Sequence, residues 1–169
     1  KVHQTGGILL TTASAAAEPA AEGSWPTGGC LGKRDATMRA AFFEVQDGER
    51  RYLAPSFADV EVEYISEPLD DAHLPATRDF DCISVFVYSR LTEKVLNAFP
   101  QLRMVATRST GYDHVDTKTC AHRAIAVANV PTYGENTAFN SREAQQRILD
   151  TTVENLRAWQ NGQSLNRVV

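Results

Sequence analysis

No stretch of the 169 residues reads Gly-x-Gly-x-x-Gly, the turn that sets a pyrophosphate on the first amides of a helix. That route to dinucleotide binding is excluded for this chain. The nearest sequence, Gly28-Gly-Cys-Leu-Gly-Lys33, has the wrong spacing for a phosphate-cradling loop, and Arg34 stands where Ser or Thr would hold a metal. Positive charge is also in deficit, with 17 Lys and Arg against 21 Asp and Glu and a net charge of −4. Such a chain raises no broad positive field, so neither nucleic acid nor an anionic membrane surface is an expected partner. No apolar run approaches the roughly 20 residues that cross a bilayer. Internal repeats and sustained heptads are missing too, which excludes solenoids and coiled coils. Only three cysteines occur, Cys30, Cys82 and Cys120, at long and unrelated spacings. They fit reduced thiols in a cytoplasmic protein better than a disulfide framework or a zinc site.

What remains is the composition of an ordinary globular domain, 43% hydrophobic, 22% charged and 8% aromatic. Residues 1–37 stand apart, since they hold six of the ten glycines and an alanine-rich run without apolar periodicity. They read as a low-complexity extension without a packing role. A secretory signal is a poor match, because the strongly apolar part is only Ile8, Leu9 and Leu10 and one lysine precedes it.

From Met38, the first methionine, short apolar runs alternate with segments that can be helical. Strands are expected at Met38–Val45, Val60–Ile65, Cys82–Val87, Arg103–Thr107 and Ile125–Asn129, buried on both faces. Helices are expected at Glu49–Phe57, Glu93–Phe99 and Thr117–Arg123. The middle one carries Thr92 as N-cap, a Leu91–Leu96 staple and Pro100 beyond its end. A last helix, from about Ser141 to Gln160, shows an apolar stripe of Ile148, Leu149, Val153, Leu156 and Trp159. Asn140 with Glu143 makes its N-cap pair, and Gly162 its stop. Alternation of strand and helix predicts an α/β fold with a parallel sheet covered on both faces.

Two stretches could carry chemistry. Arg108-Ser-Thr-Gly-Tyr-Asp-His-Val-Asp116 follows a buried strand and leads into a helix. Gly111 would let the backbone turn sharply so that the amides of Thr110, Gly111 and Tyr112 converge on a small carboxylate. The same residues also read as a plain glycine turn, with Asp116 capping the next helix. Asn129-Val-Pro-Thr-Tyr-Gly-Glu-Asn-Thr137 is the second stretch, where Tyr133 offers a hydroxyl beyond a strand end, the usual place for a ligand in an open α/β sheet.

Other candidates are weaker. His114, Cys120 and His122 could be called metal ligands, but they lack an acidic partner at a usual spacing, and a solvated helix face explains them. His3 and His73 are isolated, and Cys82 on a buried strand reads as a small core residue. Glu44 and Asp47 invite comparison with a phosphorylation receiver, which would also need an acidic acceptor after the third strand and a lysine after the fifth, where Tyr88 and Asn129 stand.

The two loop stretches, together with Ile83-Ser-Val-Phe-Val-Tyr-Ser-Arg90 and the helix Leu91–Phe99, resemble the substrate domain of D-isomer-specific 2-hydroxyacid dehydrogenases of the D-lactate dehydrogenase kind. Residues 138–169, opening Ala-Phe-Asn-Ser-Arg-Glu-Ala, resemble the helix that closes that domain at the family's C-terminus. The resemblance covers residues 38–169 and implies a flavodoxin-like, doubly wound domain of five parallel strands, closed by the last helix. It implies that the NAD domain the family carries is missing between Thr137 and Ala138, and with it the family's catalytic arginine, glutamate and histidine. The histidine normally precedes the Ala-Phe, where this chain reads Glu135-Asn136-Thr137.

What the resemblance carries over is substrate contact: the Thr110, Gly111 and Tyr112 amides, the Tyr133 hydroxyl, and Tyr88 to Arg90 on the facing turn. No catalytic, cofactor-binding or metal-binding residue carries over, and NAD belongs to the full-length family rather than to this chain. The expected ligand is a small 2-oxo or 2-hydroxy acid, bound weakly. Three roles follow: a substrate-binding domain without turnover of its own, a regulatory or binding module for 2-oxo acids or full-length relatives, or half of a dehydrogenase completed by a separate NAD domain.

Overall fold

The computed structural model describes residues 37–132 and 141–169. In chain order these form β1 (Arg39–Phe42), α1 (Asp47–Leu53), β2 (Glu61–Tyr64), β3 (Cys82–Val85), α2 (Glu93–Asn97), β4 (Met104–Thr107), α3 (Thr117–His122), β5 (Ala126–Ala128) and α4 (Arg142–Gln160). The strands make one sheet in the order β2-β1-β3-β4-β5, every pair parallel. This is the expected α/β architecture of five parallel strands. Residues 1–36, which hold most of the extension along with His3 and Cys30, and residues 133–140, which hold Tyr133 and Asn140, lie outside the described residues.

Side chains alternate along each strand, so two cores form, one on each face. Ala40, Phe42, Cys82, Met104, Ala106, Ala126 and Ala128 meet α1 and the Leu149, Leu156 and Trp159 stripe of α4. The small alanines let the long helix lie close against the sheet. On the opposite face Ala41, Phe43, Ile83, Val85, Val105 and Val127 meet Val95 and Leu96 of α2, Phe99 just beyond it and Cys120 of α3. Cys120 is thus fully buried rather than on a solvated face, and burial pushes its thiol up to about 12. The edge strand β2 alternates exposed and half-buried residues, so it is not covered on both faces as the other four are.

Several boundaries differ from expectation for local reasons. Pro55 cannot donate a backbone hydrogen bond, and the first helix ends at Leu53 and continues as a single 3-10 turn, Ala54–Phe57. In α2 the Thr92 hydroxyl accepts from the Val95 amide at 3.3 Å, as the capping pattern requires, and Leu91 and Leu96 are both buried. The cap of α4 is Ser141, whose hydroxyl accepts from the Ala144 amide at 3.1 Å, in place of the expected Asn140. Gly162 ends α4 with φ 74°, and the Gly162 and Gln163 amides return to Trp159 and Ala158 in a Schellman arrangement.

The chain's final residues add an element that no periodicity announced. The amides of Val127 and Val168 each donate to the other segment's carbonyls, and Arg167 bridges Ala128 antiparallel, so the terminus covers the open edge of β5.

Candidate functional site at the carboxyl ends of the strands

The strand order reverses direction between β1 and β3, and the crevice above that point is where open α/β sheets bind ligands. Two features occupy this end of the molecule. One is the loop 108–116 after β4; the other is a cavity of about 780 Å3 between α1 and the first turns of α4.

The loop is held by its own polar side chains. Ser109 Oγ donates to the Gly111 carbonyl at 2.7 Å, and Asn129 Nδ2 donates to the Thr110 carbonyl at 2.8 Å. Tyr112 O accepts from the Val115 amide at 2.9 Å. Further along, the Leu91 amide donates to His114 O and the Asp116 amide to Leu91 O, which ties the loop to the turn after β3. His114 Nε2 lies 3.1 Å from Thr107 Oγ1, and burial holds its imidazole below the usual histidine range. Asp116 caps α3 by accepting from the Thr119 amide and hydroxyl at 3.0 and 2.8 Å, which keeps its carboxyl below the usual range.

Thr110, Gly111 and Tyr112 are exposed, and no described residue accepts from their amides. Gly111 does not take the left-handed backbone that would demand glycine. A Cβ there would meet only Asp113 Oδ2, at 3.9 Å. The loop owes its shape to the bonds around it rather than to a glycine turn.

The cavity is built from residues far apart in sequence. Arg108 is 1% exposed at its edge. Its guanidinium donates to Phe43 O at 2.6 Å, to Glu44 O at 3.1 Å and to Ser84 Oγ at 3.1 Å, joining the ends of β1, β3 and β4. Glu44 has φ 57°, a strained value for a residue with a side chain. Its carboxylate accepts from the Phe86 amide at 2.6 Å, the Tyr88 amide at 2.7 Å and Ser89 Oγ at 2.8 Å. Glu44 is therefore a clamp on the turn after β3, and Asp47 lies apart from it in the first turn of α1.

Of the expected contact residues that are described, Tyr88 alone lines the cavity, 76% exposed at its rim, and Tyr133 lies outside the described residues. Thr110, Gly111 and Tyr112 sit on the neighbouring loop and do not line it. Sequence reasoning weighed Glu44 only as a phosphorylation-receiver acid and missed Arg108, whose one available signal was its place directly after the buried strand β4. Among the described residues no group of three or more His, Cys, Asp and Glu could hold a metal, and no helix is long and apolar enough to cross a membrane. The described glycines are Gly48, Gly111 and Gly162, none in a glycine-rich strand-to-helix turn.

An open parallel sheet with its crevice at the β1/β3 reversal defines a doubly wound α/β domain. More narrowly, residues 40–169 match the family described as D-isomer specific 2-hydroxyacid dehydrogenase, catalytic domain, and the chain belongs to that family. It is similar to D-lactate dehydrogenase of Lactiplantibacillus pentosus, 28% identical over 104 residues that cover 59% of this chain and 31% of that protein. A D-lactate dehydrogenase from Aquifex aeolicus, solved in complex with NAD and lactic acid, superimposes with a TM-score of 0.52 at 30% identity, over 56% of this chain and 28% of that one. The pyruvate reductase of Chlamydomonas reinhardtii gives 0.52 at 27% identity, over 59% and 30%. The matches thus span less than a third of the length of these relatives.

Proposed function

We propose that residues 38–169 are a substrate-binding domain that holds the carboxylate of a small 2-oxo or 2-hydroxy acid without turning it over alone. One observation carries this reading: three exposed, consecutive amides, Thr110 to Tyr112, without a described acceptor, on a loop fixed at both ends beside the strand termini. Such amides are hydrogen-bond donors open to water or to an anion. Tyr88 on the facing turn and Tyr133 complete the contacts in this reading. In this reading the junction of Thr137 to Ala138 stands where the family's nucleotide domain would be inserted, so the catalytic groups and NAD would have to come from elsewhere.

Neutral hydrogen bonds net only about 0.5–1.5 kcal/mol each, against the entropy of fixing a small ligand. Binding should be millimolar or weaker. Titration of pyruvate or D-lactate into the 15N-labelled chain should shift the Thr110, Gly111 and Tyr112 amides more than acetamide does. Equal shifts with acetamide, or none at those residues, would sink the reading. NADH oxidation with pyruvate should be absent from the chain alone. Its appearance on adding a separate nucleotide domain would favour completion in trans, for which the exposed Val87, Tyr88 and Tyr112 beside the loop offer a surface.

A further inference from the structure

The three open amides of the loop are aimed by the carbonyls that precede them. A trans peptide is planar, so its C=O and N–H point in opposite directions, and a carbonyl held on one side turns the next residue's amide to the other. Ser109 O accepts from the buried Val130 amide at 3.1 Å, which turns the Thr110 amide away. Thr110 O accepts from Asn129 Nδ2 at 2.8 Å, which does the same for the Gly111 amide. Gly111 O accepts from Ser109 Oγ at 2.7 Å, and this sets the Tyr112 amide. Each amide is thus aimed by a different donor.

Tyr112 alone depends on a hydroxyl, which can rotate, and a count of protons shows what fixes it. Ser109 has one hydroxyl proton, and a carbonyl can only accept, so that proton is taken by Gly111 O. Thr107 Oγ1 lies 2.7 Å from Ser109 Oγ, so Thr107 is the donor of that pair. His114 Nε2 lies 3.1 Å from Thr107 Oγ1, whose one proton is already engaged, so the ring nitrogen must donate. The chain of bonds therefore runs one way, from His114 Nε2–H through Thr107 and Ser109 to Gly111 O.

Thr107 and Ser109 are 1% and 5% exposed, which keeps water from competing for their protons. Glu44 at the end of β1, Arg90 in the turn after β3 and Asp113 in the loop bear on the imidazole through their charges. The neutral Nε2–H ring and the imidazolium both donate from Nε2, so the chain keeps its direction as the ring titrates.

We propose that Ser109 is a positioning residue for the loop, and that His114, acting through Thr107, sets its hydroxyl so that an anion meets the Tyr112 amide already aimed. The proposal rests on the loop reading above and deepens it, and it holds whichever acid is bound.

The first measurement needs no ligand. At a pH where the ring is neutral, long-range 1H–15N correlation on the full chain should show His114 protonated at Nε2 and bare at Nδ1. Ser109→Ala frees the Thr107 proton to turn toward Nε2, so the Nδ1–H form should appear beside the first. In the same variant pyruvate should no longer shift the Tyr112 amide, while its shifts at Thr110 and Gly111 persist, because Val130 and Asn129 still hold the carbonyls before them. Affinity for pyruvate should fall about two- to tenfold, the range of one neutral hydrogen bond. Thr107→Val keeps the side-chain shape without the hydroxyl and should give a smaller fall of the same pattern; with the tautomer of the parent, it decides the question if Ser109→Ala does not fold.

An Nδ1–H ring in the parent overturns the relay, as does a Ser109→Ala chain whose ring stays wholly Nε2–H. Pyruvate shifts that vanish equally at all three amides of Ser109→Ala, or that stay as in the parent, overturn the positioning role. A parent without pyruvate shifts at the loop sinks the loop reading instead, and the tautomers of parent and variant then still decide the relay.

Discussion

The loop after β4 and the cavity beside it lie at the same end of one sheet, yet they are made in opposite ways. The loop is mostly local: Ser109 bonds Gly111, Tyr112 bonds Val115 and Asp116 bonds Thr119, all within a few residues, with ties to Leu91 and Asn129 added. The cavity is long-range, since Arg108 reaches Phe43 and Glu44 across 65 and 64 residues, and Glu44 reaches Phe86 and Tyr88 across 42 and 44. The local feature leaves donors open to water, whereas the long-range one buries a charge. A local turn can tolerate change, while a long-range brace transmits it to three strands at once.

The largest expected effect tests whether the cavity's outer wall depends on the docking of α4. Trp159 is 2% exposed, packs among Phe42, Cys82 and Met104, and carries the Arg103 guanidinium over its ring at 5.9 Å. Trp159→Ala should cost about 3–5 kcal/mol, read by chemical denaturation. A near-neutral result would mean that α4 does not dock, and the cavity would then have no wall on that side. The loop contacts, which do not involve α4 directly, should survive in whatever fraction stays folded.

A smaller effect should couple the two regions. Asn155 is buried on the apolar side of α4, with Nδ2 donating to Asn129 O at 2.8 Å and Oδ1 accepting from Asn166 Nδ2 at 2.9 Å. Asn129 in turn holds the Thr110 carbonyl. Asn155→Ala leaves buried polar groups without their partner and should cost about 1–3 kcal/mol. It should also shift the Thr110 and Gly111 amide signals, although neither residue touches Asn155. Loss of stability with those signals unmoved would show that loop and helix are independent.

These residues mark where the sequence was readable. The alternation of apolar runs reported the sheet, Thr92 reported the start of α2, and the spacing of Ile148 to Trp159 reported the buried stripe, because each is a pattern within one element. Family resemblance located the loop. Arg108 looked like the first residue of a loop and Asn155 like a polar gap in an apolar stripe, since a buried polar side chain is identified only by its partners, which here lie 11 to 65 residues away. The strained Glu44 and the closing strand-like terminus at Arg167 escaped for the same reason: neither has a periodicity of its own.

The smallest expected effect concerns Gly111, the residue that the sequence most strongly suggested was indispensable. Its backbone lies outside the left-handed region, its surroundings are exposed, and the nearest atom to an added Cβ is Asp113 Oδ2 at 3.9 Å. Where native geometry already suits a side chain, replacing glycine by alanine narrows the unfolded ensemble and stabilises by about 0.4–1 kcal/mol. Gly111→Ala should therefore be neutral or slightly stabilising in chemical denaturation, and it keeps the 111 amide available to a carboxylate, so the pyruvate-induced shifts should persist. A loss of more than about 1 kcal/mol, well outside the usual range for an exposed substitution, would mean that the loop visits a backbone state only glycine permits. The outcome separates two origins for the loop's shape: conformational freedom at one residue, or the bonds from Ser109, Asn129 and Val115 that hold it in place.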